Sequence, residues 1–477
     1  MITSPVAGFV VAIAIRHTPS PRRRVAYPCP AANLWSSPLG RSHSTPARIA
    51  APGRVGRRVP AAIEARARDN LRADAVKGRS GAAMLEGVRL VDHHCHGVVR
   101  GPLDRAAFEL LATESDRPAP PGCTTLDSQL GFAIRRWCAP LLGLAPHAPA
   151  EDYLARRDQL GPAEVNRRLL GAAGVATFLV DTGFRAGDLL TPAELGAAAG
   201  ASAAEVVRLE AVAERVAEGG VSADGFAAAY ADALATATTD AVAVKSVLAY
   251  RHGLDIAPEP PTASQVRTAA GRWLRRAEAA LPPGPRDGSP GDGSPGDGSP
   301  GARGLRLDDP VLLRHVLWAG VQRGLPVQIH TGFGDPDLDL ARADPALLTG
   351  FLRAVADRDV AIMLLHCYPF HRQAGYLAQV FPHVYLDVGL ALNHVGARAP
   401  AVLAESLELA PFHQVLYSSD AFGLPELHLL GAALFREALA EVLDGWVAAG
   451  RWSGADARRV ADMVGAGNAA RVYRLGD

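Results

Sequence analysis

Chemistry is concentrated in one short segment of this 477-residue chain, Val91-Asp92-His93-His94-Cys95-His96. Side chains two apart on a strand share a face, so His94 and His96 point together while Cys95 points away. Two imidazoles on one strand form a bidentate site for a divalent metal ion. By the same parity, His93 turns toward helices or solvent. Three further apolar runs end in a polar side chain: Leu325-Pro-Val-Gln-Ile-His330, Ile362-Met-Leu-Leu-His366 and Val415-Leu-Tyr-Ser-Ser-Asp420. Singly, a strand-end histidine is more often a hydrogen-bonded structural residue. Together and in this order, the set is hard to obtain by chance.

These residues need elements to hold them. Eight runs of β-forming residues, 89–96, 175–183, 205–210, 241–250, 325–332, 361–367, 384–390 and 415–421, alternate with stretches rich in Ala, Leu and Arg. Several are apolar almost throughout, as parallel strands buried on both faces must be. The pattern predicts an α/β fold, a closed (β/α)8 TIM barrel, with a doubly wound open sheet as the alternative. His94, His96, Asp181, Glu210, His330, His366 and Asp420 fall at the C-terminal ends of their runs, the face where such barrels carry their chemistry. Residues 1–84, rich in Arg, Pro, Ala and Ser, read as a disordered leader, although an organelle transit peptide has similar composition. Residues 282–304 repeat Gly-Asp-Gly-Ser-Pro and read as a flexible insertion in a barrel domain of 85–477.

Lys plus Arg and Asp plus Glu number 49 each, so no global charge calls for nucleic acid or an anionic membrane as partner. Five scattered cysteines without a CxxC pair suggest reduced thiols and a cytoplasmic setting. The apolar run 6–15 is too short to span a bilayer and lacks the flanks of a signal peptide. The expected partner is a small-molecule substrate; oligomerisation stays open.

The HxH pair, the two later strand-end histidines and the late aspartate resemble the amidohydrolase superfamily over about 88–475. His330-Thr-Gly-Phe-Gly-Asp335, His366-Cys-Tyr-Pro, Ser418-Ser-Asp-Ala-Phe-Gly423, Phe381-Pro-His-Val-Tyr-Leu-Asp387 and Gly467-Asn-Ala-Ala-Arg471 are similar to the amidohydrolase-related branch. Within it they look most like the domain fused to glutamine synthetase in some fungal and plant proteins. The resemblance implies that His94, His96 and His330 bind one or two divalent ions, zinc ahead of manganese or iron. Asp420 would be a further ligand or the base for the attacking water, and His366 would hold the carbonyl or a second ion. It implies hydrolysis of a C–N bond, amide or γ-glutamyl; a metal-dependent decarboxylase or isomerase and a non-catalytic scaffold are the alternatives.

Lys245, inside an apolar run, has three readings: a carboxylated lysine bridging two metals, a substrate-carboxylate contact, or an ion pair with Glu210. Glu210, Arg251 and His371 join it as candidate substrate contacts, Arg208 and Arg372 being further arginines near the mouth able to grip a carboxylate. Asp335, Asp337 and Asp339 read as loop and capping residues, and Cys95 and Cys367 as buried spectators.

Overall fold

The computed structural model describes residues 85–185, 187–280 and 305–476. All lie within one compact unit, Val59–Asp477. The expected leader and the 282–304 insertion fall outside the described residues.

Seven parallel strands follow one another in chain order around the sheet: β1 Val91–Cys95, β2 Thr177–Asp181, β3 Ser202–Arg208, β4 Ala243–Ser246, β5 Val327–Thr331, β6 Ile362–His366 and β7 Val384–Leu386. Helices separate them, as parallel connections require. The eighth run, 415–421, is not a regular strand, yet it closes the ring. Leu416 N donates to Leu386 O of β7 at 3.0 Å, while His93 N of β1 donates to Tyr417 O at 3.2 Å. Asp420 N reaches His94 O at 3.0 Å, and His96 N reaches Ala421 O at 2.8 Å. With β7 and β1 both paired to this segment, the fold is the TIM barrel and not the open sheet. The segment loses its ladder because a side chain competes for it: Ser419 N donates to Asp92 Oδ1 at 2.8 Å, and Asp420 itself sits at φ +48°.

Strands bury both faces. All five residues of β6 are buried; Ile362 and Leu364 join the large core beneath the helices, while Met363 and Leu365 join the barrel interior. There Val91, Leu179, Val206, Ala243, Tyr385 and Leu416 meet Ala469 and Tyr473 from the C-terminal segment, which plugs the barrel floor. Burying a side chain of this size stabilises the fold by about 1.5–3 kcal/mol each.

Three expected strands run too far. Residue 209 opens the helix Leu209–Glu218, 248 opens Leu248–Arg251 and 389 opens Gly389–Val395. In each case apolar residues resume just beyond the polar strand end, after Arg208, Ser246 and Asp387, so hydrophobicity alone does not mark the boundary. The parity of β1 also differs from expectation. Asp92 pairs with Phe178 but Cys95 pairs with Val180, so His93 and His94 together oppose Leu179. This bulge turns both His93 and His94 inward, and His93 faces neither helices nor solvent.

Candidate metal centre

The bulge in β1 and the ends of β5, β6 and the closing segment bring five predicted residues to one place at the C-terminal mouth. His94 and His96 stand nearly perpendicular, ring centres 5.2 Å apart. The His366 ring lies 5.5 Å from that of His94 and 4.5 Å from that of His330. Asp420 sits among them: Oδ1 is 3.1 Å from His94 Nε2 and 3.5 Å from His96 Nε2, and Oδ2 is 3.4 Å from His366 Nδ1. The Lys245 amine reaches in from β4, with Nζ 3.0 Å from His94 Nε2.

His366, Cys367 and Asp420 all adopt positive φ, at 67°, 57° and 48°. Such backbone costs non-glycine residues about 1–3 kcal/mol each and persists only where neighbours enforce it. Here two buried carboxylates do so. Asp387 Oδ1 accepts from His366 N at 3.0 Å, Gly389 N at 2.8 Å and Ser418 Oγ at 2.8 Å. Asp92 accepts from the Ser419 amide and hydroxyl, next to Asp420.

Burial favours the neutral form of the imidazoles of His94, His330 and His366. Burial, then the charge of Lys245, pushes His94 down to about 3. Burial, then its neighbour His366, takes His330 well below its ordinary value, and burial also lowers His366. Burial alone would raise the Asp420 carboxyl, but His366, His94 and His96 more than offset it and hold it well below the carboxylate range. Neutral imidazoles and an ionised carboxylate are the donor chemistry of a divalent ion.

The residues fit such an ion on a second ground. His330 Nε2 and His366 Nε2 are buried without a hydrogen-bond partner, an arrangement that costs free energy unless something binds there. The ligand atoms of His94, His366 and Asp420, and those of His94, His96 and Asp181, lie within 4.8 Å of one another. His96 Nδ1 faces the Asp181 carbonyl at 3.2 Å; a carbonyl only accepts, so the proton sits on Nδ1 and the Nε2 lone pair turns to the centre.

Around this set, Asp181 Oδ2 accepts from Arg208 Nε and Nη2 at 3.1 and 2.8 Å. Burial would raise Asp181, yet the Arg208 charge, followed by His96, outweighs it. Phe184 and Phe422 pack at 4.7 Å beside His96, and the Arg208 guanidinium lies 5.4 Å from the Phe184 ring. Across the mouth, Tyr250 packs at 4.4 Å on His330, and a Cβ on Gly334 would collide with its hydroxyl.

Not every predicted residue joins. Glu210 lies in the helix layer, where Oε1 accepts from Ser246 Oγ at 2.6 Å and Val247 N at 3.1 Å. Lys245 is on the opposite face of β4, so the ion pair with Glu210 is not formed. Arg251 pairs with Glu214 at 3.2 Å, and His371 Nε2 with Glu405 at 2.7 Å, both outside the histidine cluster. Asp335 and Asp339 accept from loop amides and Asp337 pairs with Arg306. The Cys95 and Cys367 thiols turn to the Leu179 and Leu364 carbonyls, buried and free. Sequence reasoning gave no role to Gln328, Asp387, Tyr250 or Tyr473. Gln328 carried a usable signal, because it lies two residues before His330 and so shares its face.

Residues 268–475 match the family model described as Amidohydrolase. Over this stretch the chain is similar to the amidohydrolase superfamily. It is similar to protein fluG of Emericella nidulans, 32% identical over 265 residues, which is 53% of this chain and 27% of that protein. The chain thus spans about a quarter of the length of that curated relative. Among solved structures, the chain resembles a protein described as a metal-dependent hydrolase from Lactobacillus casei ATCC 334. The TM-score is 0.67 at 26% identity, over 82% of this chain and 96% of the other. A uronate isomerase from Bacillus halodurans C-125 shares the fold, with TM-score 0.54 at 14% identity over 86% and 97% of the two chains. No helix among the described residues is long and apolar enough to cross a membrane.

Proposed function

We propose that this chain hydrolyses a C–N bond, amide or γ-glutamyl, with the help of a divalent metal ion, zinc ahead of manganese or iron. The observation that carries the reading is Asp420, an ionised carboxylate within 3.5 Å of nitrogens of His94, His96 and His366. His94, His96 and His330 would hold the ion, with Asp420 as further ligand or base. When bound, the ion polarises a water molecule and the scissile carbonyl. Asp420 takes the proton released as the C–O bond forms and returns it to the nitrogen as the C–N bond breaks. His366, against Asp420, holds the carbonyl or a second ion.

Substrate selection rests on charge. Burial brings Lys245 down to about 8, so it is still largely protonated at pH 7, whereas the charge of Arg208 is taken up by Asp181. The Lys245 ammonium favours a carboxylate-bearing small molecule. Phe184 and Phe422 shield the centre from bulk water, which strengthens each of these interactions.

The likeness to the Lactobacillus casei protein supports hydrolysis, and the match to protein fluG supports the amidohydrolase resemblance. Isomerisation is the second reading, favoured by the barrel shape shared with uronate isomerases. The test incubates zinc-loaded protein with γ-glutamyl amides in ¹⁸O-water, and separately with a hexuronate. Equimolar amine and singly labelled acid support hydrolysis. A mass-neutral change of the hexuronate, with the amides intact, overturns it.

A further inference from the structure

Beneath the histidines lies a closed network of side chains that the proposed reaction does not use. Gln328 on β5, His93 on β1, Asp387 after β7 and Tyr473 from the C-terminal segment are all buried. Gln328 Nε2 is 2.7 Å from His93 O and 3.0 Å from Tyr473 Oη. Gln328 Oε1 is 2.8 Å from His94 Nδ1. His93 Nδ1 is 2.9 Å from Tyr473 Oη, and His93 Nε2 is 3.1 Å from Asp387 Oδ2.

Donor and acceptor arithmetic gives the network one polarity. The His93 carbonyl can only accept, so the Gln328 atom facing it is the NH2 group, and the amide cannot be reversed. Its second N–H goes to Tyr473 Oη. The remaining atom, Oε1, can only accept, so His94 carries its proton on Nδ1. A neutral His94 then presents a lone pair at Nε2, the atom that faces Lys245 and Asp420. The Lys245 amine at 3.0 Å, a donor, agrees with an acceptor there. None of this depends on the protonation state of His93, because the phenol oxygen of Tyr473 can accept from Gln328 whether its own proton goes to His93 or not.

We infer that Gln328 is a positioning residue for the metal centre: its amide, locked by the His93 carbonyl and the Tyr473 hydroxyl, sets the tautomer of His94 and aims the Nε2 lone pair at the ion. The inference rests on His94 being a metal ligand, as in the proposed function. Asp387 ties the same network to the other side of the centre, since it binds His93 through Oδ2 and the His366 amide through Oδ1. One buried unit thereby orients both β1 and β6 histidines. An outer partner of this kind typically changes metal affinity by about tenfold to a hundredfold when removed.

The test uses metal-free protein and does not need turnover. Nitrogen-15 NMR of the His94 ring in the wild-type chain should show the Nδ1–H tautomer; an Nε2–H ring overturns the inference with no variant required. Gln328→Leu should release the tautomer toward Nε2–H and weaken zinc binding, measured by chelator competition, by about tenfold or more. Tyr473→Phe, which keeps the ring but removes the lock, should shift both readouts in the same direction and by less. A lowered melting temperature with unchanged tautomer and zinc affinity in Gln328→Leu would reduce Gln328 to packing and overturn the proposal. His94→Ala separates ligation from positioning. Zinc retained at wild-type affinity in that variant removes His94 from the ligand set, whereas zinc lost there but kept in Gln328→Leu removes only the positioning role.

Discussion

His94 Nε2 and Asp420 Oδ1 stand 3.1 Å apart, and both are acceptors. With the Nδ1 proton of His94 engaged on Gln328, a neutral ring offers Asp420 a lone pair, and two facing acceptors repel unless a cation lies against both. A proton is a poor candidate at neutral pH, because burial and the Lys245 charge hold His94 near 3. A cation against both atoms relieves this: the Lys245 ammonium already lies 3.0 Å from His94 Nε2, and a divalent ion bound there would do the same.

Removing a ligand should empty the centre without unfolding the barrel. His96→Ala is expected to lose bound metal and turnover, since its Nε2 lone pair also faces Asp420. Elemental mass spectrometry on protein purified without added metal, with circular dichroism beside it, checks this. About one or two equivalents in the wild-type chain and none in the variant is the expected result; wild-type metal content in His96→Ala would remove that residue from the ligand set.

Proton transfer and metal binding separate at Asp420. The Asp420→Asn side chain can still ligate through its oxygen but cannot take a proton. Much of the metal should remain while kcat falls by about 10²–10⁴-fold. Turnover near the wild-type rate would take Asp420 out of proton transfer.

Arg208 and Asp181 are a buried pair in which each neutralises the other. Arg208→Met leaves a carboxylate in the barrel mouth without its main counter-charge, at a cost of about 3–5 kcal/mol. Urea unfolding measures this, and Arg208→Met/Asp181→Asn should recover a large part of it. A single variant as stable as the wild type would show that the pair contributes little.

Acid should destabilise the fold partly through His428. This ring packs edge-on against Phe178 at 5.6 Å behind β1, and burial, then the charge of His96, lowers it to about 3. Its unfolded value is near 6.5, so the unfolded chain binds the proton first as pH falls. The stabilisation is complete above about 6.5 and is lost between there and 3, at about 1.4 kcal/mol per pH unit. His428→Leu should flatten the dependence of the urea midpoint on pH between 6 and 4. An unchanged slope would assign the acid sensitivity to other groups.

Much of this protein could be read from spacing alone. Apolar runs ending in His94, His330 and His366 predicted three strands and their polar ends, and the run ending in Asp420 predicted a segment that closes the barrel without being a regular strand. The closed barrel and the amidohydrolase resemblance follow from that order. Strand alternation failed where the backbone is irregular. The β1 bulge turns His93 inward against the parity rule, and the strand-to-helix passage at residue 209 carries Glu210 out of the barrel. Whether a side chain at a strand end turns in or out is a property of local hydrogen bonding, which residue type does not encode.

The sequence by itself determined which atoms are available for a metal, since only their chemistry and order along eight runs are involved. Tertiary structure alone decided which way those atoms face. The His94 tautomer depends on Gln328, more than 200 residues away, and on Tyr473 near the other end of the fold. The positive φ at His366 and Asp420 depends on the carboxylates of Asp387 and Asp92. Hydrogen bonds of this kind act over about 3 Å between residues remote in the chain, so they exist only once the barrel has closed.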